Sequence, residues 1–187
     1  MKIFASKEFY FVAFAFVTFS MASCDLLDKA DDVDFDVVLE DDFEISEESE
    51  GTNKTYSQIL TLDATSDPDI NKYKNKISGF KINKITYIVS QYTGASNSTF
   101  SGTLSFGDAS SAVATVAVTI TNLNLQTAYT SGTEYELLVN QADIDKIGAL
   151  LKDDKAVKLY LNGSLTATPA FADIKVFLDA SVTADAL

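Results

Sequence analysis

The chain has 187 residues and a formal charge of -13, with no His, no Arg, no Trp and a single cysteine, Cys24. Without an imidazole, Ser-His-Asp and Cys-His catalysis cannot be built, and zinc loses its ordinary ligands. Without a guanidinium fork, and with this charge, nucleic acid is not an expected partner. One cysteine closes no internal disulfide, so any fold holds by packing and hydrogen bonding. The length suits one domain with a real core.

Lys2 and Lys7 precede an apolar run from Phe9 to Ala22, and Met21-Ala22-Ser23-Cys24 follows at its end. A basic start, an apolar middle and small residues before a cut are the parts of a secretory signal. The run is about 14 residues, short of the ~20 that a helix needs to cross a bilayer. Cys24 directly after Ala22-Ser23 resembles the lipobox of bacterial lipoproteins, although Met21 stands where Leu is most frequent and Glu8 adds an acid beside the run. The resemblance implies that the Cys24 thiol receives a diacylglyceryl group, that the signal is cut before it, and that the new amino terminus is acylated. Two or three acyl chains, at ~0.8 kcal/mol per buried methylene, make a durable anchor. The expected organisation is a signal peptide at 1–23, a lipidated acidic tether at 24–32 and a β-sandwich domain at 33–187.

Asp25, Asp28, Asp31 and Asp32 follow the cysteine, and residues 25 to 50 hold 13 acids against one lysine. Such a stretch is similar to that of Bacteroidetes lipoproteins exported to the cell surface. The resemblance implies an outer-membrane location, on the periplasmic or the cell-surface face. At physiological salt the field of these acids decays over ~8 Å. An eight-residue tether spans at most ~25 to 30 Å.

From Asp32 onward the dominant period is two. Val33, Phe35, Val37 and Leu39 predict a first strand, resumed by Phe43 and Ile45 after a bulge or turn at Glu40-Asp41-Asp42. Tyr56, Leu60, Leu62 and Ala64 predict the second, and Ser66 or Asp67 then caps a short helix with Pro68 at its start and Ile70, Tyr73 and Ile77 on one stripe. Ile85, Tyr87 and Val89 mark a third strand, Phe100, Leu104 and Phe106 a fourth, and Ala112 to Ile120 a fifth. Tyr135, Leu137 and Val139 predict a sixth. A helix capped by Asn140 follows, with Asp143 three residues later and Ile144, Ile147, Leu150 and Leu151 at helical spacing. Val157, Leu159 and Leu161 give a seventh strand, and Ile174, Val176 and Leu178 an eighth. Turn residues at 93–98, 106–111 and 130–133 separate these runs. The expected fold is all-β: an immunoglobulin-like or related antiparallel β-sandwich of about eight strands with two short helices.

Asp32, Asp34 and Asp36 share one strand face and are weak candidates for a calcium site, since clustered carboxylates suit that ion. The glycine and distal glutamate of an EF-hand loop are missing, and a solvated acidic face that guards an edge strand explains them as well. Asp67, Asp69, Asp143, Asp145, Asp153 and Asp154 fall at helix ends and turns, where no glycosidase pair is identified. Tyr92 and Tyr129, beside turns, are candidates for exposed sugar-stacking rings. No catalytic residue and no cofactor is assigned. The expectation is a non-enzymatic, monomeric envelope lipoprotein, an interaction or adhesion module whose partners are membrane lipid at Cys24 and an envelope protein or glycan. The alternative is a binding protein for a glycan or small ligand.

Overall fold

The computed structural model describes residues 32–185. The signal segment, the acylation residue Cys24, tether residues 24–31 and the last two positions lie outside the described residues.

Alternation governs the strands. In β1 (Asp32–Gly51) the odd positions from Val33 to Ile45 turn inward, with Val37, Leu39, Phe43 and Ile45 buried. The expected break at Glu40-Asp41-Asp42 is absent: pairing runs without a shift from Asp32 to Glu47, and the irregularity comes only between Glu47 and Gly51. Continuity forces Asp41 onto the inner face between Leu39 and Phe43, where burial raises its carboxyl above the ordinary value. A hydrogen bond from the Asp42 N–H, at 2.9 Å, pulls it back in part.

The remaining strands are β2 (Lys54–Asp63), β3 (Ile77–Gly94), β4 (Thr99–Asp108), β5 (Ala114–Asn124), β6 (Tyr135–Glu136), β7 (Ala156–Leu165) and β8 (Thr168–Asp185). They form two four-stranded antiparallel sheets, ordered β1-β8-β3-β6 and β2-β7-β4-β5. The expected antiparallel sandwich of about eight strands is therefore present. Its strand order is that of two Greek keys wound into a jelly roll, a relative of the immunoglobulin sandwich with different connections.

Both sheets contribute to one apolar interior, in which Phe43, Phe100, Phe106, Leu104, Leu159 and Leu178 are fully buried. Along one side the sheets are stitched by side chains of β2: the Glu44 N–H donates to Gln58 Oε1 at 3.0 Å, and the Tyr56 hydroxyl donates to the Glu44 carbonyl at 3.1 Å. The backbone N–H and carbonyl of Glu44, on the free edge of β1, are thus satisfied by side chains and not by a ninth strand.

Three helices close the other openings. In α1 (Pro68–Tyr73) the Asp67 carboxylate accepts from the Asp69 and Ile70 N–H groups, as its sequence predicts, but Ile77 belongs to β3 and not to the helical stripe. α2 (Leu125–Ser131) was not expected; it is capped by Asn124, which accepts from the Thr127 N–H at 2.7 Å, and it ends at Gly132 with φ +60. α3 (Gln141–Asp154) starts at Asn140 as expected and buries Ile147 and Leu151. Gly148 lets it approach β3, since a Cβ there would lie 2.5 Å from the Phe80 carbonyl oxygen.

Candidate functional site

The outer face of β1-β8-β3 is rich in acids and lysines, and its registers set side chains in rows across the three strands. Asp34 lies opposite Thr183, Asp36 opposite Ser181, Asp42 opposite Lys175 and Glu44 opposite Asp173. On the far side of β8, Lys84 lies opposite Asp179, Gln91 opposite Asp173 and Thr93 opposite Phe171.

Most of these rows are internally satisfied. The Thr183 hydroxyl donates to Asp34 at 2.6 Å, and the Ser181 hydroxyl donates to Asp36 at 2.7 Å. Lys84 pairs with Glu134 at 3.0 Å and with Asp179 at 3.4 Å. Lys175 sits between Glu40 at 3.2 Å and Asp42 at 3.5 Å, and the bond to Glu40 above all raises its pKa. The row of Glu44, Asp173 and Gln91 differs. Among the described residues, neither carboxylate side chain nor the amide makes a hydrogen bond or ion pair. Two like charges directly across a strand pair are mildly destabilising.

This row lies in a groove of about 850 Å³. Phe171 stands on its floor in the next row of β8, and Tyr129 of α2 lines it as well. The α2 segment packs against β3, so the register of three strands and the docking of one helix assemble the groove from four distant parts of the chain. Phe171 is 36% exposed and Tyr129 46%, while most of the large apolar residues of the domain are buried. The helices and loops leave both rings open to solvent.

Tyr129 is therefore an exposed ring, as its position beside a turn suggests. Tyr92 is the opposite. A bulge between Val89 and Gln91 inverts the parity of β3, turns Tyr92 inward to 7% exposure, and lets its hydroxyl donate to the Ala95 carbonyl at 2.5 Å.

The acidic candidates do not converge. Asp32, Asp34 and Asp36 lie at alternate, exposed positions of β1, ~6.5 to 7 Å apart along the strand. Asp34 and Asp36 are each engaged by a hydroxyl of β8, and Asp32 lies opposite Asp185. Among the described residues no three ligating side chains are grouped to hold a metal ion. The helix-end acids serve their helices: Asp143 bonds Asn140 and Lys146, both at 2.7 Å, which lowers its pKa, the Lys146 bond first. Glu44, Asp173, Gln91 and Phe171 were not legible as a site, because only the β1-β8-β3 register brings them together.

No protein-family model matches the chain, and no curated protein matches its sequence. Among solved structures, one of desmodium yellow mottle tymovirus aligns over 82% of this chain and 84% of that chain, at 13% identity and a TM-score of 0.37. One of infectious bursal disease virus Gx strain aligns over 82% of this chain and 37% of that chain, at 11% identity and a TM-score of 0.30. The likeness concerns the layout of strands alone.

Proposed function

We propose that the chain is a non-enzymatic lipoprotein of the bacterial outer membrane, held by lipid on Cys24, whose β-sandwich serves as an interaction module. The observation that carries this reading is the Met21-Ala22-Ser23-Cys24 segment behind a short apolar run, placed only eight residues before β1. Among the described residues no helix is long and apolar enough to cross a membrane, and in this reading the acyl chains on Cys24 supply the attachment. The packed interior and the absence of His in the sequence favour recognition over reaction.

The tether enters at Asp32, and Glu44 lies twelve residues further along β1, a distance of ~40 Å at ordinary strand rise. The groove is thereby carried away from the point of attachment, where a partner can reach it. Metabolic labelling with a palmitate analogue tests the anchor. The wild-type chain takes up the label and partitions with membranes, whereas Cys24→Ala takes up none and is either poorly processed or released as a soluble product. Equal labelling of both overturns the reading.

A further inference from the structure

We propose that the groove between Tyr129 and Phe171 is a binding site for a neutral glycan. Its placement on the exposed end of the module rests on the lipid-anchor reading; the chemistry of the site does not.

The rings come first. A planar ring left open beside hydrogen-bonding groups suits a ligand with an apolar C–H face and a polar rim, as a pyranose has. Tyr129 and Phe171 come from a helix and a strand and line one groove, so they can meet successive sugar units.

The polar groups select hydroxyls. On the same sheet face Asp34 and Asp36 are each satisfied by a hydroxyl of the neighbouring strand, whereas Glu44 and Asp173 face each other with none. Sugar hydroxyls donating to both carboxylates, with Gln91 and Thr93 completing the rim, supply what the chain omits there. Lys175 lines the groove too but is held by Asp42, so Glu44 and Asp173 leave it net negative: they disfavour acidic sugars and phosphates, and a lipid tail would leave them unsolvated. A volume of about 850 Å³ fits a short oligosaccharide segment.

The full chain, held in detergent, is screened on an array of neutral, acidic and amino-substituted glycans, and the strongest neutral binder is titrated by calorimetry. Expected is saturable neutral binding that Tyr129→Ala and Phe171→Ala each weaken roughly tenfold. Tyr129→Leu and Phe171→Leu keep apolar bulk without a ring, so they separate lost stacking from lost packing; they too bind weakly while melting at the wild-type temperature. Glu44→Gln combined with Asp173→Asn lowers affinity as well. Failure of every neutral glycan to bind, or binding indifferent to all four ring variants, overturns the proposal. Hexalysine binding that salt abolishes, with no sugar bound, also overturns it and gives the groove to a cationic partner. A wild-type chain that takes no palmitate label refutes the anchor and leaves the glycan result standing.

Discussion

The outer faces of the two sheets share one core and present opposite chemistry. On β2-β7-β4-β5 the outward parity holds Thr55, Ser57, Ile59, Thr61 and Asp63, then Lys158, the covered Tyr160, Asn162 and Ser164, then Ser101, Thr103 and the covered Ser105, with Asp63 and Lys158 as the charges among them. Many of these groups bond within the chain: Ser57 donates to Asn162 at 2.6 Å, and Lys158 and Tyr160 both donate to the Ser111 carbonyl. On β1-β8-β3 acids and lysines alternate across strands, mostly paired, with one bare row in a groove. The first face is mainly hydroxyl and amide groups, whereas the second sets two carboxylates opposite each other beside exposed rings in a groove, which is why the proposed recognition is assigned to the second.

The comparison is broken most severely if the faces do not rest on one core. Leu159 of β7 and Leu178 of β8 are both fully buried, one under each face. Leu159→Ala and Leu178→Ala should each cost ~2 to 5 kcal/mol, as lost transfer energy plus a residual cavity. Urea unfolding should show one cooperative transition for both. A loss below ~0.5 kcal/mol at either site, or two separate transitions, means that the sheets do not share the packing described.

How much of this was legible follows from parity. β8 keeps one parity from Ala170 to Ala184, and its Ile174, Val176 and Leu178 read directly from the sequence. β3 has shifts at Ile77/Gly79, Ile82/Lys84 and Val89/Gln91, so Phe80 and Ile82 are buried on one parity, Ile85 to Val89 on the other, and Tyr92 on the first again. Tyr92 reads as exposed because it stands beside a turn, and alternation alone cannot see the inversion that turns it inward. α2 buries only Leu125 and Ala128, too few for a helical stripe, although its cap residues Asn124 and Gly132 stood in the sequence. The proposed lipidation of Cys24 rests on motif alone, whereas Glu44, Gln91, Tyr129 and Phe171 meet only through register and docking.

The two orientations of acid on β1 sharpen the comparison at a smaller scale. Asp41 points inward and its pKa is raised, first by burial, so the folded chain binds more protons than the unfolded chain just above the ordinary carboxylate range. Stability from this group therefore falls as pH rises through that window, and the penalty is complete above the folded pKa. Asp41→Asn should stabilise the chain at pH 7 by about a few tenths of a kcal/mol, since water still reaches the side chain. The gain should fade on acidification and vanish by pH ~3, where the group is protonated in both states. Asp42→Asn, on the outward face beside Lys175, should give no such gain. Urea midpoints across pH decide it, and equal gains for both would mean that net charge, not burial, sets the effect.

The smallest change in stability is expected at Asp34 and Asp36. Both are exposed, and their bonds from Thr183 and Ser181 replace bonds that water would make, so Asp34→Thr with Asp36→Thr should shift stability by no more than ~0.5 kcal/mol. Their role lies at the edge. β1 pairs on one side only, with β8, and a long unpaired strand edge invites a second chain unless charge repels it. Removing two charges and adding β-branched residues should raise self-association, read by light scattering across protein concentration, while the melting temperature stays put. Calcium calorimetry on the wild type supplies the contrary outcome. A stoichiometric site with Kd below ~10 μM, lost in Asp34→Asn, would show that these carboxylates converge on an ion and that edge protection is not their purpose.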